Sequence, residues 1–169
     1  MVRGAASLAT RMSLLPFFEW CEQAPLIVAM RGSLWLFPVI ESLHLMGLAL
    51  LGGAVVTVDL RLFGLGLRNQ PVAQVARDAE TWLLVGLSVL LPTGWLLFMA
   101  SAVKCYHLTA FWLKMTSLLL ALAFTFGVRR QVALASEGTM SGVRTQLVAA
   151  VSLALWSSVA IAGRYVGFP

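Results

Sequence analysis

Hydrophobic positions along the chain gather into four long runs separated by short polar stretches. The runs cover about 34–58, 82–103, 108–128 and 146–166. Each is close to the roughly 20 apolar residues that a bilayer core demands. Backbone in lipid must satisfy its own hydrogen bonds, so the runs predict helices. Within the first run Glu41, His44, Leu48, Leu51, Val55 and Asp59 share one helical face, flanked by Gly47 and Gly52. The glycines fit either close helix packing or room for a flat ligand. In the third run His107, Ala110, Lys114, Ser117, Ala121 and Thr125 form a polar and small stripe through a helix otherwise rich in Leu, Phe and Trp. In the fourth, Ala150, Ala154, Ser158 and Ala162 recur at every fourth position, a pattern of tight packing within the bundle or between protomers. The second run holds LLPTGWLL, where Pro92 removes a backbone hydrogen bond and predicts a kink, with Thr93 placed to satisfy a freed carbonyl.

Before the first run, SLLPFFEWCEQAPLIVAMRGS mixes Phe17, Phe18, Trp20, Leu26 and Ile27 with Glu19, Glu22 and Arg31, and Pro16 and Pro25 interrupt it. It is too broken and too charged to span, and reads as an interfacial amphipathic segment. Arg3 and Arg11 resemble the start of a signal peptide, but no ordered apolar region with a small-residue cleavage site follows. The fold class expected is therefore an all-α membrane protein. One domain, 1–169, forms a four-transmembrane-helix bundle with an N-terminal interfacial helix in 1–33.

Composition agrees. Charged residues make up 11% of the chain and hydrophobic ones 60%, against roughly a quarter charged in a soluble domain. The formal net charge of +5 comes from basic residues at the ends of apolar runs, with no basic stripe, so no nucleic-acid partner is expected. Arg61, Arg68, Arg77, Arg129, Arg130 and Arg144 fall in or beside the connections between the first two and the last two runs. That balance predicts a multi-pass protein of the bacterial inner membrane with those connections cytoplasmic and both termini periplasmic. Cys21 and Cys105 show no CxxC or metal spacing. Soluble nucleophile triads, P-loops and dinucleotide fingerprints are absent from the sequence.

The candidate chemistry is intramembrane. An ionisable residue within a span costs at least ~2.5 kcal/mol on insertion scales, so by default it faces the bundle and marks function. Glu41 and His44 in the first run, Lys114 in the third and Arg164 near the end of the fourth all fall in one half of the membrane. Trp95 lies toward the same half, and His107 stands at the start of the third run.

The opening R.S.W.FP..E..H (Arg31, Ser33, Trp35, Phe37, Pro38, Glu41, His44), the DLRL.GL segment (Asp59 to Leu65) and the closing GRYVGF resemble an uncharacterised family of four-helix bacterial membrane proteins. ESLHLMGLALLGGAVVTVDLRLFGLG and AFWLKMTSLLLALAF are also distantly similar to HemJ-type protoporphyrinogen oxidases and to CopD-type membrane domains. That resemblance implies a role for His44 as the first-helix histidine and for Lys114 as the third-helix lysine, positions that go with haem b or porphyrin in the HemJ type. The departures are the long N-terminal segment and Glu41. The expected function is an integral membrane haem b protein of redox or electron-transfer type. His44 would be the axial ligand to the haem iron, Lys114 and Arg164 would meet propionates, and Glu41 would orient the imidazole. Trp95 and His107 would stand nearby. Expected partners are the lipid bilayer, a redox protein, and further copies of the chain through Ala150, Ala154, Ser158 and Ala162. Two other readings fit the residues: a non-catalytic membrane subunit or assembly factor, and a small proton-coupled transporter.

Overall fold

A computed structural model describes residues 14–65, 69–135 and 142–167. Arg3, Arg11 and Arg68 lie outside the described residues. Helix α1 covers 14–23, α2 Pro25–Gly32, α3 Leu36–Leu62, α4 Val72–Ala100, α5 Ala102–His107 and α6 Thr109–Phe124. A π-turn at Thr125–Arg129 carries α6 without a break into α7, Arg130–Ala135, and α8 runs Gly142–Gly167. Four units are long and apolar enough to cross a bilayer: α3, α4, α6 through α7, and α8. The protein is thus an all-helical, multi-pass membrane protein. The end where α3 and α6 begin is called the near end here, and the other the far end.

The spans are longer than the apolar runs. α4 starts ten residues ahead of Trp82, at Val72, because Arg77, Asp78 and Glu80 ride on its first turns rather than in a loop. The third span reaches Ala135, since the π-turn continues the helix past Val128.

Local chemistry fixes the ends. Gly64 adopts φ 76°, and the amides of Gly64 and Leu65 donate to the Arg61 and Leu60 carbonyls. This paired closure after α3 needs a left-handed residue, which glycine supplies without a Cβ penalty. Arg61 then holds the connection by donating from Nε and Nη2 to the Gln70 carbonyl at 2.9 and 2.8 Å. At the near end the Glu22 carboxylate of α1 accepts from the Val103 amide of α5 at 2.9 Å. The amphipathic entry segment therefore docks on the bundle: Phe18, Cys21, Ile27 and Met30 are buried, while Trp20, Leu26 and Val28 are exposed.

α3 packs along α4, α6 along α8, and the two pairs meet through α3 with α8 and α4 with α7. The main core lies toward the far end, built from Leu51, Val55, Val58 and Leu62 of α3 with Val75 and Leu83 of α4. Near its middle α3 crosses α4 at Gly47 and Gly86. A Cβ on Gly86 would stand 2.8 Å from the Leu51 amide nitrogen and 3.0 Å from the Gly47 carbonyl oxygen. Gly47 therefore serves close packing, whereas Gly52 has nothing within 4 Å of its Cβ position. Gly86→Ala has backbone in its way and should destabilise the purified protein by about 1–3 kcal/mol, read as a lowered thermal midpoint in detergent.

The expected ladder on the last span divides. Ala150 and Ala154 face outward, Ser158 is half-buried and Ala162 is buried against the bundle. A four-residue repeat drifts around a helix of 3.6 residues per turn, so its two ends face different directions.

Candidate functional site

Two polar centres occupy opposite halves of the bundle. The near-end centre is built on His44 of α3. Its half-buried ring lies against α4, where a Cβ on Gly94 would stand 3.1 Å from the imidazole Cε1. Glycine at 94 thus makes the recess that receives the ring. His44 Nδ1 is 3.0 Å from Thr93 Oγ1, and Thr93 Oγ1 is 2.6 Å from the Val89 carbonyl oxygen.

These two distances assign the tautomer. A carbonyl cannot donate, so the Thr93 hydroxyl proton lies on the bond to Val89. Thr93 Oγ1 must then accept from His44, which puts the proton of a neutral imidazole on Nδ1 and its lone pair on Nε2; the Leu90 carbonyl is a second backbone acceptor beside the ring. Pro92 withholds a donor from the Ser88 carbonyl four residues back, but the Thr93 hydroxyl does not take that place as expected: it bonds the Val89 carbonyl of its own helix, as Thr57 and Thr116 bond the Gly53 and Trp112 carbonyls of theirs.

Lys114 of α6 approaches the same interior from the opposite pair of helices. Its half-buried side chain runs over Gly163 of α8, where a Cβ would meet Lys114 Cε at 3.5 Å and Nζ at 3.6 Å. The ammonium is close enough to His44 for an electrostatic interaction, and no carboxylate among the described residues forms an ion pair with it. Ala110, Ser117, Ala121 and Thr125, which share its face, are also half-buried or buried. The polar stripe is therefore the inward face of α6.

An aromatic cap closes the near end above these groups. Phe98 of α4 stacks on Phe111 of α6 at 5.3 Å between ring centroids, and Phe18 of α1 packs edge-on against Tyr106 of α5 at 5.1 Å. Trp112 Nε1 donates to the Tyr106 carbonyl at 3.1 Å. The short helices α1 and α5 thus cover the end of the bundle that holds His44.

The other four expected site residues stand elsewhere. Glu41 is exposed on α3, because three residues before His44 turns it about 60° away, and Thr93 takes the Nδ1 partnership expected of it. Arg164 is exposed near the end of α8. Trp95 is 53% exposed and lies beside Phe98, with centroids 5.5 Å apart. His107 is exposed at the end of α5, edge-on to Tyr106. The two thiols are buried and unbonded, and burial raises both Cys21 and Cys105 above the ordinary thiol range, which disfavours the thiolate forms that would bind metal.

The far-end centre is an ion pair. Arg129 Nε donates to Asp59 Oδ1 at 2.7 Å, and Arg129 Nη2 to the Val55 carbonyl at 2.9 Å. The side chains are 5% and 0% exposed. The Ser152 hydroxyl of α8 faces the carboxylate without completing a bond of good geometry, so Asp59 Oδ2 and Ser152 Oγ remain buried and unpartnered. Trp156 Nε1 donates to Thr125 Oγ1 at 3.1 Å alongside. Reading Arg129 as a connection residue missed this pair. The signal was in the spacing: Ser117, Ala121 and Thr125 lead by fours to Arg129, and the π-turn keeps it on the inward face.

What the near-end centre can hold follows from its donors. Among the described residues no group of three or more His, Cys, Asp and Glu side chains gathers to bind a metal ion. A bare ion held by protein side chains alone does not fit. A metallo-macrocycle that brings four of its own nitrogens needs one imidazole, and His44 Nε2 is that kind of donor.

No curated protein and no solved structure matches the chain. A family model described as a family of unknown function, DUF6644, matches residues 17–169. That span takes in everything described above except the first three residues of α1, and the chain belongs to this family.

Proposed function

We propose that the protein is a membrane haem b or porphyrin-binding protein of redox or electron-transfer type, with His44 as the axial ligand. The observation that carries the reading is the hydrogen bond from His44 Nδ1 to a threonine whose own proton is committed to Val89. A histidine ligand is commonly held by donating its second N–H to an acceptor, which sets the tautomer and raises the basicity of the ligating nitrogen. The half-buried Lys114 ammonium suits a propionate in a low-dielectric setting. Haem, when bound, supplies the one-electron chemistry. This chain's residues supply ligation, orientation by Thr93, charge compensation by Lys114 and exclusion of water by the aromatic cap.

Haem titration of the purified protein in detergent tests this. A Soret band should grow and saturate at one haem per chain. Thr93→Val keeps the shape of the side chain and removes the acceptor, and should weaken haem binding by roughly 10-fold or more. An unsaturable, non-specific rise in absorbance would refute the proposal.

A further inference from the structure

We infer that copies of this chain associate side by side in the membrane, with the outer face of α8 from one copy seated in a groove between α3 and α4 of the next. The groove has a volume of about 330 Å³. Its floor is Ala49, Gly53 and Thr57 of α3, its wall is Trp82 of α4, and Asp78 and Gln70 stand at its far end. Small residues on the floor let another backbone approach closely, which is how helices associate where lipid removes the hydrophobic driving force. Gly53 has nothing within 4 Å of its Cβ position, so this part of the floor is open.

The face of α8 that the fold leaves outside has a matching form. Arg144, Leu147, Val151, Ala154, Ser158, Ile161 and Tyr165 recur at alternating three- and four-residue steps, the spacing of a seam that packs against one partner helix. Leu147, Val151, Ile161 and Tyr165 are exposed along it, while Ala149, Ser152, Val159 and Ala162 hold the opposite face in the bundle.

Depth and charge fix the register. Copies in one membrane share an orientation, so their far ends lie level. Counting 1.5 Å per residue from the far helix ends, Thr57 and Leu147 lie at roughly 7–8 Å, Gly53 and Val151 at roughly 13–14 Å, and Ala49 and Ala154 at roughly 18–20 Å. Asp78 lies at roughly 9 Å and Arg144 at roughly 3 Å, a gap that an extended arginine side chain crosses. Neither residue has an ion-pair partner among the described residues. A basic group on the seam thus meets an acidic group at the same end of the groove. The two surfaces differ, so the contact is head to tail and adds copies around an axis along the membrane normal.

Cross-linking in native membranes tests it. The Gly53→Cys, Val151→Cys double variant should give disulfide-linked dimers and larger species on mild oxidation, and neither single variant should. Asp78→Arg should lose the oligomer in native mass spectrometry, and adding Arg144→Asp should restore it. A monomer that carries phospholipid, or an oligomer that survives Asp78→Arg and yields no cross-link, would overturn the inference. Haem binding is read separately by its Soret band, so either proposal can fail without the other.

Discussion

Arg129→Met should be the most destabilising single substitution in the bundle, at about 3–5 kcal/mol. The guanidinium leaves behind a carboxylate at Asp59 that is 0% exposed, already has one oxygen without a partner, and lies inside a membrane span. The hydrogen bond to the Val55 carbonyl goes with it, although that carbonyl keeps its place in the α3 ladder. The pair also joins α3 to the third span near the far end, so its loss loosens the contact between the two helix pairs. Replacing both members together removes the stranded charge as well as the attraction. Asp59→Leu with Arg129→Met should therefore recover much of the stability lost in the single variant. Thermal unfolding in a fixed detergent reads both. A single variant as stable as the parent would mean that water or lipid headgroups already reach Asp59.

His44→Gly should abolish stoichiometric haem binding. Losing the axial nitrogen outright should cost more than the roughly 10–100-fold typical of an outer partner such as Thr93. Thr93 and Gly94 are left in place, so the recess against α4 persists as a hole the size of an imidazole ring. Added free imidazole should then enter it, donate its own N–H to Thr93 Oγ1 and restore the Soret band. A nonligating analogue of the same size should not. If haem affinity is unchanged in His44→Gly, ligation lies elsewhere in the chain.

The helical architecture was legible because lipid leaves few choices. Four apolar runs near bilayer length admit one class of structure. The inward stripe on α6 was also legible, since Lys114, Ser117, Ala121 and Thr125 stand out at helical spacing against Leu, Phe and Trp. Limits appeared where polarity was taken for exposure. Arg77, Asp78 and Glu80 looked like a connection, yet they begin α4, because a helix emerging from a membrane keeps its hydrogen bonds whatever its side chains. Arg129 looked like part of the connection between the last two spans and proves to be buried, since a single carboxylate three residues from the end of α3 turns inward to meet it.

The site was half legible. His44 and Lys114 do face the bundle interior from separate helices. Glu41 drew attention because it is the nearest carboxylate in sequence, but a neighbour three residues away on one helix does not face the ring edge that α4 covers. Thr93 was visible only as a companion to Pro92. Its partnership with His44 depends on how α3 crosses α4 at Gly47 and Gly86, and a crossing geometry is a property of two helices together. Trp95, His107 and Arg164 belong to the right half of the membrane and to its outer surface, a distinction that depth alone does not make.

Ligation of haem by His44 Nε2, with Nδ1 bonded to Thr93, has one decisive readout. That readout is the optical spectrum of the wild-type protein purified from haem-sufficient cells. A Soret band, a pyridine haemochromogen of the b type and close to one haem per folded chain are expected. A folded, monodisperse protein that purifies colourless and stays so after incubation with haem would contradict it.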